Sequence, residues 1–123
     1  MSSEGSAQAP GPGSARAVLD GVRVVDFTQV LAGPYGTSLL GDFGADVIKI
    51  EPPGGEPFRA IDNLIAPGES GYYYGINRSK RAITLNLKEP AARSIVERLV
   101  RESDVVVVGF RPAAVARIGL DFE

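Results

Sequence analysis

Two clusters in this 123-residue sequence combine residue types and spacing that could do chemistry. The first is Gly33-Pro34-Tyr35-Gly36, with Glu51 18 positions beyond Gly33. A glycine-rich turn opening a helix, followed about 20 residues later by an acid, can bind a dinucleotide, the amides taking the pyrophosphate and the acid the ribose. Here Gly-x-Gly-x-x-Gly is incomplete, and Pro34 deletes one of the amides that would cradle phosphate. The turn therefore reads as structural rather than as a nicotinamide site. The second cluster is Asn77-Arg78-Ser79-Lys80-Arg81 followed by Lys88, four cations with no acid between them. It fits a solvated loop leading into a strand and equally a phosphate site held by charge-assisted bonds. Arg111 and Arg117 add cations further along and tilt the balance toward an anionic ligand. Tyr72-Tyr73-Tyr74 beside the basic run could stack an adenine, but packing the loop onto a sheet is the better-supported role. The carboxylates Asp26, Asp42, Asp46, Glu51 and Asp62 show no pairing that marks an acid/base couple. Asp26, ending a strand, is expected to accept hydrogen bonds from loop amides.

Composition removes whole classes of function. The chain has no cysteine and no histidine, which excludes disulfides, thiolate or imidazole metal sites, cysteine nucleophiles and histidine bases within it. Thirteen Lys and Arg against 15 Asp and Glu give a net charge of −2, without the basic footprint of a nucleic-acid binder. Hydrophobic residues at 44% support a core, while no run approaches the ~18–20 apolar residues of a membrane span. The N-terminal residues lack the apolar centre of a secretory signal, so a cytoplasmic location is expected.

The elements that must position these residues follow from pattern. Residues 1–18 are rich in Gly, Pro, Ser and Ala and are expected to form a disordered tail ahead of one domain, 19–123. Val22–Phe27 reads as a strand, Pro34 opens a helix with Tyr35, Leu39, Leu40 and Phe43 at helical spacing, and Gly44 stops it. Asp46–Glu51 is a second strand. Gly54–Gly71 has no period and is expected to be a long loop. Ala82–Leu87 makes a third strand, and Glu89-Pro90 opens a helix to about Glu102 with Ala92, Ile95, Val96, Leu99 and Val100 on its apolar face. Arg93, Glu97 and Arg101 form a solvated ladder on its other face. Asp104–Phe110 is a fourth strand whose four valines suggest burial on both faces, and Pro112–Ile118 is a short helix ended by Gly119. This order predicts an α/β fold, a Rossmann-like open and mainly parallel sheet with right-handed crossovers. Ligands of such sheets lie beyond the strands' carboxyl ends, which selects Thr28–Gly36, Pro52–Arg59, Leu87–Lys88 and Gly109–Arg117.

Asp20–Thr28, Ala32-Gly33-Pro34, Leu40–Gly55 and Asn77–Arg81 together resemble the opening of the class III CoA-transferases, a family that includes formyl-CoA and carnitine CoA-transferases and the α-methylacyl-CoA racemases. The resemblance covers residues 20–123. It implies that coenzyme A or an acyl-CoA, a substrate rather than a permanently bound cofactor, lies across the strand ends. Carried over by position, Val30 and Leu31 would line the groove near the pantetheine. Leu85, Leu87 and Lys88 would hold the adenine and phosphate end, Phe110 would pack on the nucleotide and Arg117 would reach a phosphate.

Two departures from the family pattern accompany these matches. Val108-Gly109-Phe110-Arg111-Pro112-Ala113 stands where the family shows Glu-Asn-Phe-Arg-Pro-Gly, so Gly109 offers no side-chain amide to CoA. The family's transferase nucleophile, an aspartate that forms a mixed anhydride and then an aspartyl-CoA thioester, lies downstream of the matched segments. The racemases' His and Asp also lie downstream. No catalytic residue and no metal ligand is therefore assigned in this chain. The expected activity is that of the CoA-binding part of a transferase acting on an acyl-CoA and a carboxylate acceptor. A racemase-like fragment and a non-catalytic CoA-binding or interaction module are the alternatives. Family members form homodimers, and a separate C-terminal partner chain is a further expected partner; neither nucleic acid nor membrane is.

Overall fold

Val24, Val25 and Phe27 are fully buried in β1 (Arg23–Phe27), and on either side of that strand the rest of the sheet is laid down. The computed structural model describes residues 16–62 and 64–120. The elements run β1, α1 (Ala32–Asp42), β2 (Asp46–Glu51), a 3-10 turn at Pro57–Ala60, α2 (Gly71–Ile76), β3 (Lys80–Thr84), α3 (Pro90–Arg101), β4 (Val105–Val108) and α4 (Pro112–Arg117). The strands form one parallel sheet in the order β3-β2-β1-β4. This is the open α/β architecture that the alternation of elements predicts. Residues 1–15 of the expected tail lie outside the described residues, and the Ala17 carbonyl already accepts a hydrogen bond from the Asp20 amide at 3.0 Å.

The two faces of the sheet differ in kind. On one, Val25, Phe27, Ile48 and Ile50 pack with Val96, Leu99 and Val100 of α3. On the other, Val24 and Val47 pack with Ala45 and Leu40, but the next inward positions along the same strands are Asp26, Lys49 and Glu51, all buried. Strand alternation places these three on one face because side chains two apart point the same way. Helix α1 covers this face with small and hydroxyl residues, burying Pro34, Thr37 and Ser38. Its expected apolar stripe is instead turned outward, leaving Tyr35, Leu39 and Phe43 exposed.

Four expectations are corrected. Strand β3 begins at Lys80 rather than Ala82, because Lys80 and Arg81 pair through their backbones with Val47 and Ile48. It ends at Thr84 because Asn86 makes a turn: its side-chain oxygen accepts from the Lys88 amide at 3.2 Å and its carbonyl accepts from the Glu89 amide at 2.9 Å. The segment 54–71 holds the short 3-10 turn, and the tyrosines beyond it lie in α2, which Ser70 caps by accepting from the Tyr73 amide at 3.1 Å. The valines of β4 are not buried on both faces. The strand is a sheet edge paired with β1 alone, and Val105 and Val108 are 40% and 39% exposed.

Candidate functional site

All four strands run the same way, so the segments following β1, β2, β3 and β4 share one rim. The chain builds outward from β1 to β2 and β3, then crosses back to place β4 on the other side of β1. A crevice forms outside the carboxyl ends where the order reverses, which is where open α/β sheets bind ligands.

The first wall of the rim is the loop between β1 and α1. Asp26 Oδ1 accepts from the Thr28 amide at 2.8 Å and from the Thr28 hydroxyl, and Oδ2 accepts from the Thr37 hydroxyl at 2.6 Å and Lys80 Nζ at 3.0 Å. Burial works to raise the Asp26 carboxyl, but the hydroxyls of Thr28 and Thr37 and the charge of Lys80 outweigh it and hold the group below the usual carboxylate value. The bond to the Thr28 amide is the one expected from sequence; the two hydroxyls and the lysine were not. Gly33 lets α1 sit against this loop, since a Cβ there would meet Thr28 Cβ at 2.4 Å. Its role in the Gly-x-x-Gly turn is close packing. Val30 and Leu31 follow, 48% and 46% exposed at the mouth of the rim.

Two depressions that share Leu87 and Lys88 lie along this rim. One, of about 190 Å³, is lined by Gln29, Pro52, Pro53, Leu85, Leu87 and Phe110 among others. The other, of about 280 Å³, is lined by Leu87, Lys88, Arg93, Val96, Arg117 and Ile118, with Glu89 and Pro90 at the start of α3. Leu85, Leu87 and Phe110 pack on the core cluster of the α3 face. Lys88 and Arg117 meet again in a hollow of about 500 Å³ with Leu87, Ala114 and Ile118. The structure thus brings together Leu85, Leu87, Lys88, Phe110 and Arg117. Val30 and Leu31 stand on the neighbouring loop and line none of these hollows, where Gln29 does. Arg93 joins Lys88 and Arg117 although its spacing reads as part of a solvated ladder. It does bind Glu97, at 3.1 Å, and its place three residues after Pro90, within the first turn of α3, is the signal that puts it at the rim.

The basic run separates into different roles. Arg78 binds Asp42 with Nη2 at 2.6 Å, Arg81 binds Asp46 at 2.7 Å, and the Lys80 side chain, 2% exposed, binds Asp26. Three of the four cations are therefore paired within the fold, which favours the loop-and-strand reading of Arg78–Arg81 over the phosphate-site reading. Lys88 and Arg117 side chains make no ion pair among the described residues. Glu51 is equally committed. Its carboxylate accepts from Arg59 Nε at 2.7 Å, Arg59 Nη2 at 2.8 Å, the Glu56 amide at 3.0 Å and the Tyr73 hydroxyl. Arg59 also lies 4.0 Å over the Tyr73 ring. An acid so enclosed has no lone pair to offer a ribose, which removes the dinucleotide reading. No helix among the described residues is long and apolar enough to cross a membrane.

Residues 19–123 match the family described as CoA-transferase family III. An acetyl-CoA:oxalate CoA-transferase of Acetobacter aceti is 42% identical over 113 residues, covering 91% of this chain and 29% of the relative. A succinyl-CoA:glutarate CoA-transferase of Homo sapiens is 42% identical over 106 residues, covering 85% and 24%. Among solved structures, a CAIB/BAIF family protein from Brucella suis matches with a TM-score of 0.79 at 39% identity, over 88% of this chain and 30% of that one. The chain spans between 24% and 30% of the length of these relatives. Together, the match over 19–123 and the shared parallel sheet show that this chain belongs to CoA-transferase family III.

Proposed function

We propose that this chain is the coenzyme A-binding portion of a cytoplasmic enzyme, homodimeric when complete, that moves CoA from an acyl-CoA to a carboxylic acid. The observation that carries the reading is the meeting at one rim of apolar Leu85, Leu87 and Phe110 with Lys88 and Arg117, cations that make no ion pair among the described residues. Apolar walls suit the adenine and pantetheine, and the cations suit the phosphates. In the reaction, an aspartate carboxylate outside this chain attacks the thioester carbon and expels the CoA thiolate. The thiolate then attacks the aspartyl carbonyl of the resulting anhydride, releasing the first acid and leaving an aspartyl-CoA thioester. The acceptor carboxylate attacks that thioester to form a second anhydride, from which the expelled thiolate takes the acceptor's acyl group and frees the aspartate. This chain holds and orients the CoA. Two of its buried carboxylates, Asp26 and Glu51, are bound by cations and hydroxyls, which supports a nucleophile from elsewhere. The relatives' names describe transfer between acids and favour it over racemisation.

Calorimetric titration of the chain with CoA tests the proposal. Lys88→Glu and Arg117→Glu are each expected to weaken binding by ~10-fold or more, since a hydrogen bond to a charged group contributes about 1.5–3 kcal/mol. Unchanged affinity in both variants, or saturable transferase turnover by the isolated chain, overturns it.

A further inference from the structure

The β1–α1 loop is held from below by buried charges that touch none of the hollows at the rim. Val30 has a φ of 73°, in the left-handed region where a β-branched residue is an outlier costing about 1–3 kcal/mol. A glycine would take this φ without cost, so a branched side chain stands here in a conformation its surroundings must enforce. The enforcing contacts are specific. The Val30 amide donates to Glu56 Oε1 at 2.9 Å, and Lys49 Nζ donates to the Thr28 carbonyl at 2.8 Å. Both side chains are buried, Glu56 at 2% exposure. Burying a carboxylate costs several kcal/mol. Yet Glu56 Oε2 receives no hydrogen bond among the described residues, and Oε1 is spent on this one loop amide. The clamp therefore binds the loop at two points, Thr28 just before its turn and Val30 within it.

We infer that Glu56 is a positioning residue: through the Val30 amide it holds the loop in its left-handed turn and so fixes where Val30 and Leu31 meet the pantetheine arm of an acyl-CoA. The ligand half of this inference rests on the reading of the rim as a CoA site. The conformational half does not.

The test uses the 15N-labelled 123-residue chain and two readouts. Without ligand, hydrogen exchange and the HN–Hα coupling of residue 30 report the turn; with CoA, calorimetry reports affinity. Glu56→Ala is expected to lose exchange protection at residue 30 and to weaken CoA binding by ~10-fold, the lower part of the range that the strain permits. Glu56→Gln, which can still accept the bond, keeps both signals. Adding Val30→Gly to Glu56→Ala is expected to recover part of the lost CoA affinity, because glycine reaches the left-handed φ without strain. Should Glu56→Ala fail to fold, Glu56→Asp, with its shorter reach, reads the same signals. An unchanged residue-30 amide in Glu56→Ala, with CoA still bound at wild-type strength, overturns the positioning role. So does damage by Glu56→Gln equal to that of Glu56→Ala. A wild-type chain that binds no CoA overturns the ligand half and the function proposed above, and leaves the amide readout to decide the conformational half.

Discussion

Glu51 shows how much a single side chain can organise. Burial works to raise its carboxyl, but Arg59, the Tyr73 hydroxyl and the Glu56 amide outweigh that and bring it from 4.5 to about 2. The same burial, together with Glu51, pushes the Tyr73 phenol upward, so it stays a donor at every working pH. A carboxyl lower in the folded than in the unfolded chain stabilises the fold fully above its unfolded value, and that contribution fades as pH falls toward the folded one. Urea denaturation is therefore expected to show stability falling between pH 4.5 and 2, with Glu51 contributing on the order of 3 kcal/mol at neutral pH. Glu51→Gln lowers stability at pH 7 and flattens that fall; an unaltered profile would contradict the assignment. The chain has no histidine, and no other side chain ordinarily titrates between pH 5 and 8. The stability curve is expected to be level there.

At the scale of elements, α1 approaches the sheet through its smallest residues because the face it covers is polar. A Cβ on Gly41 would stand 2.6 Å from the Ser79 carbonyl oxygen and 2.9 Å from Ser79 Cβ. Gly41→Ala is expected to destabilise the chain by about 1–3 kcal/mol in thermal or urea unfolding, the usual cost of overpacking. Gly36→Ala, whose Cβ would meet nothing within 4 Å, serves as its control and should be neutral or slightly stabilising. The helix was legible in the sequence, but its buried side was not, since a hydrophobic stripe assigns the inward face only where the partner surface is apolar. Strands β1 and β2 were legible because their β-branched runs sit between turn residues. The start of β3 was hidden because Lys80 and Arg81 look like loop cations until their partners are known. Those partners, Asp26 and Asp46, lie 54 and 35 positions away. The rim was legible from topology, which named the loops holding Pro52, Lys88, Phe110 and Arg117. Arg93 was not, because an i,i+4 partner at Glu97 explains it locally.

At the scale of the whole molecule, an apolar stripe is left exposed among the described residues. Leu31, Tyr35, Leu39 and Phe43 recur every four residues along α1 and its two caps, and all are exposed. Contiguous apolar surface of this kind binds hydrophobic dyes. Replacing Tyr35, Leu39 and Phe43 together with glutamine is expected to reduce dye fluorescence while the melting temperature moves little, as surface changes usually stay within about 0.5 kcal/mol each. A large loss of stability would show that the stripe is packed rather than open. Behind α1, the sheet's charged face carries Asp26, Glu51 and Glu56 against Lys49, Arg59 and Lys80, three of each sign and joined through shared loop and backbone groups. Neutrality there is collective, so inheritance at these six positions is constrained as a set. A single replacement that removes one sign leaves its opposite less well compensated, so a second change that restores the balance is favoured. On the α3 face the buried cluster is apolar, and its ion pairs, Arg23 and Arg81 with Asp46, are part-exposed, so lineages can drift one residue at a time there.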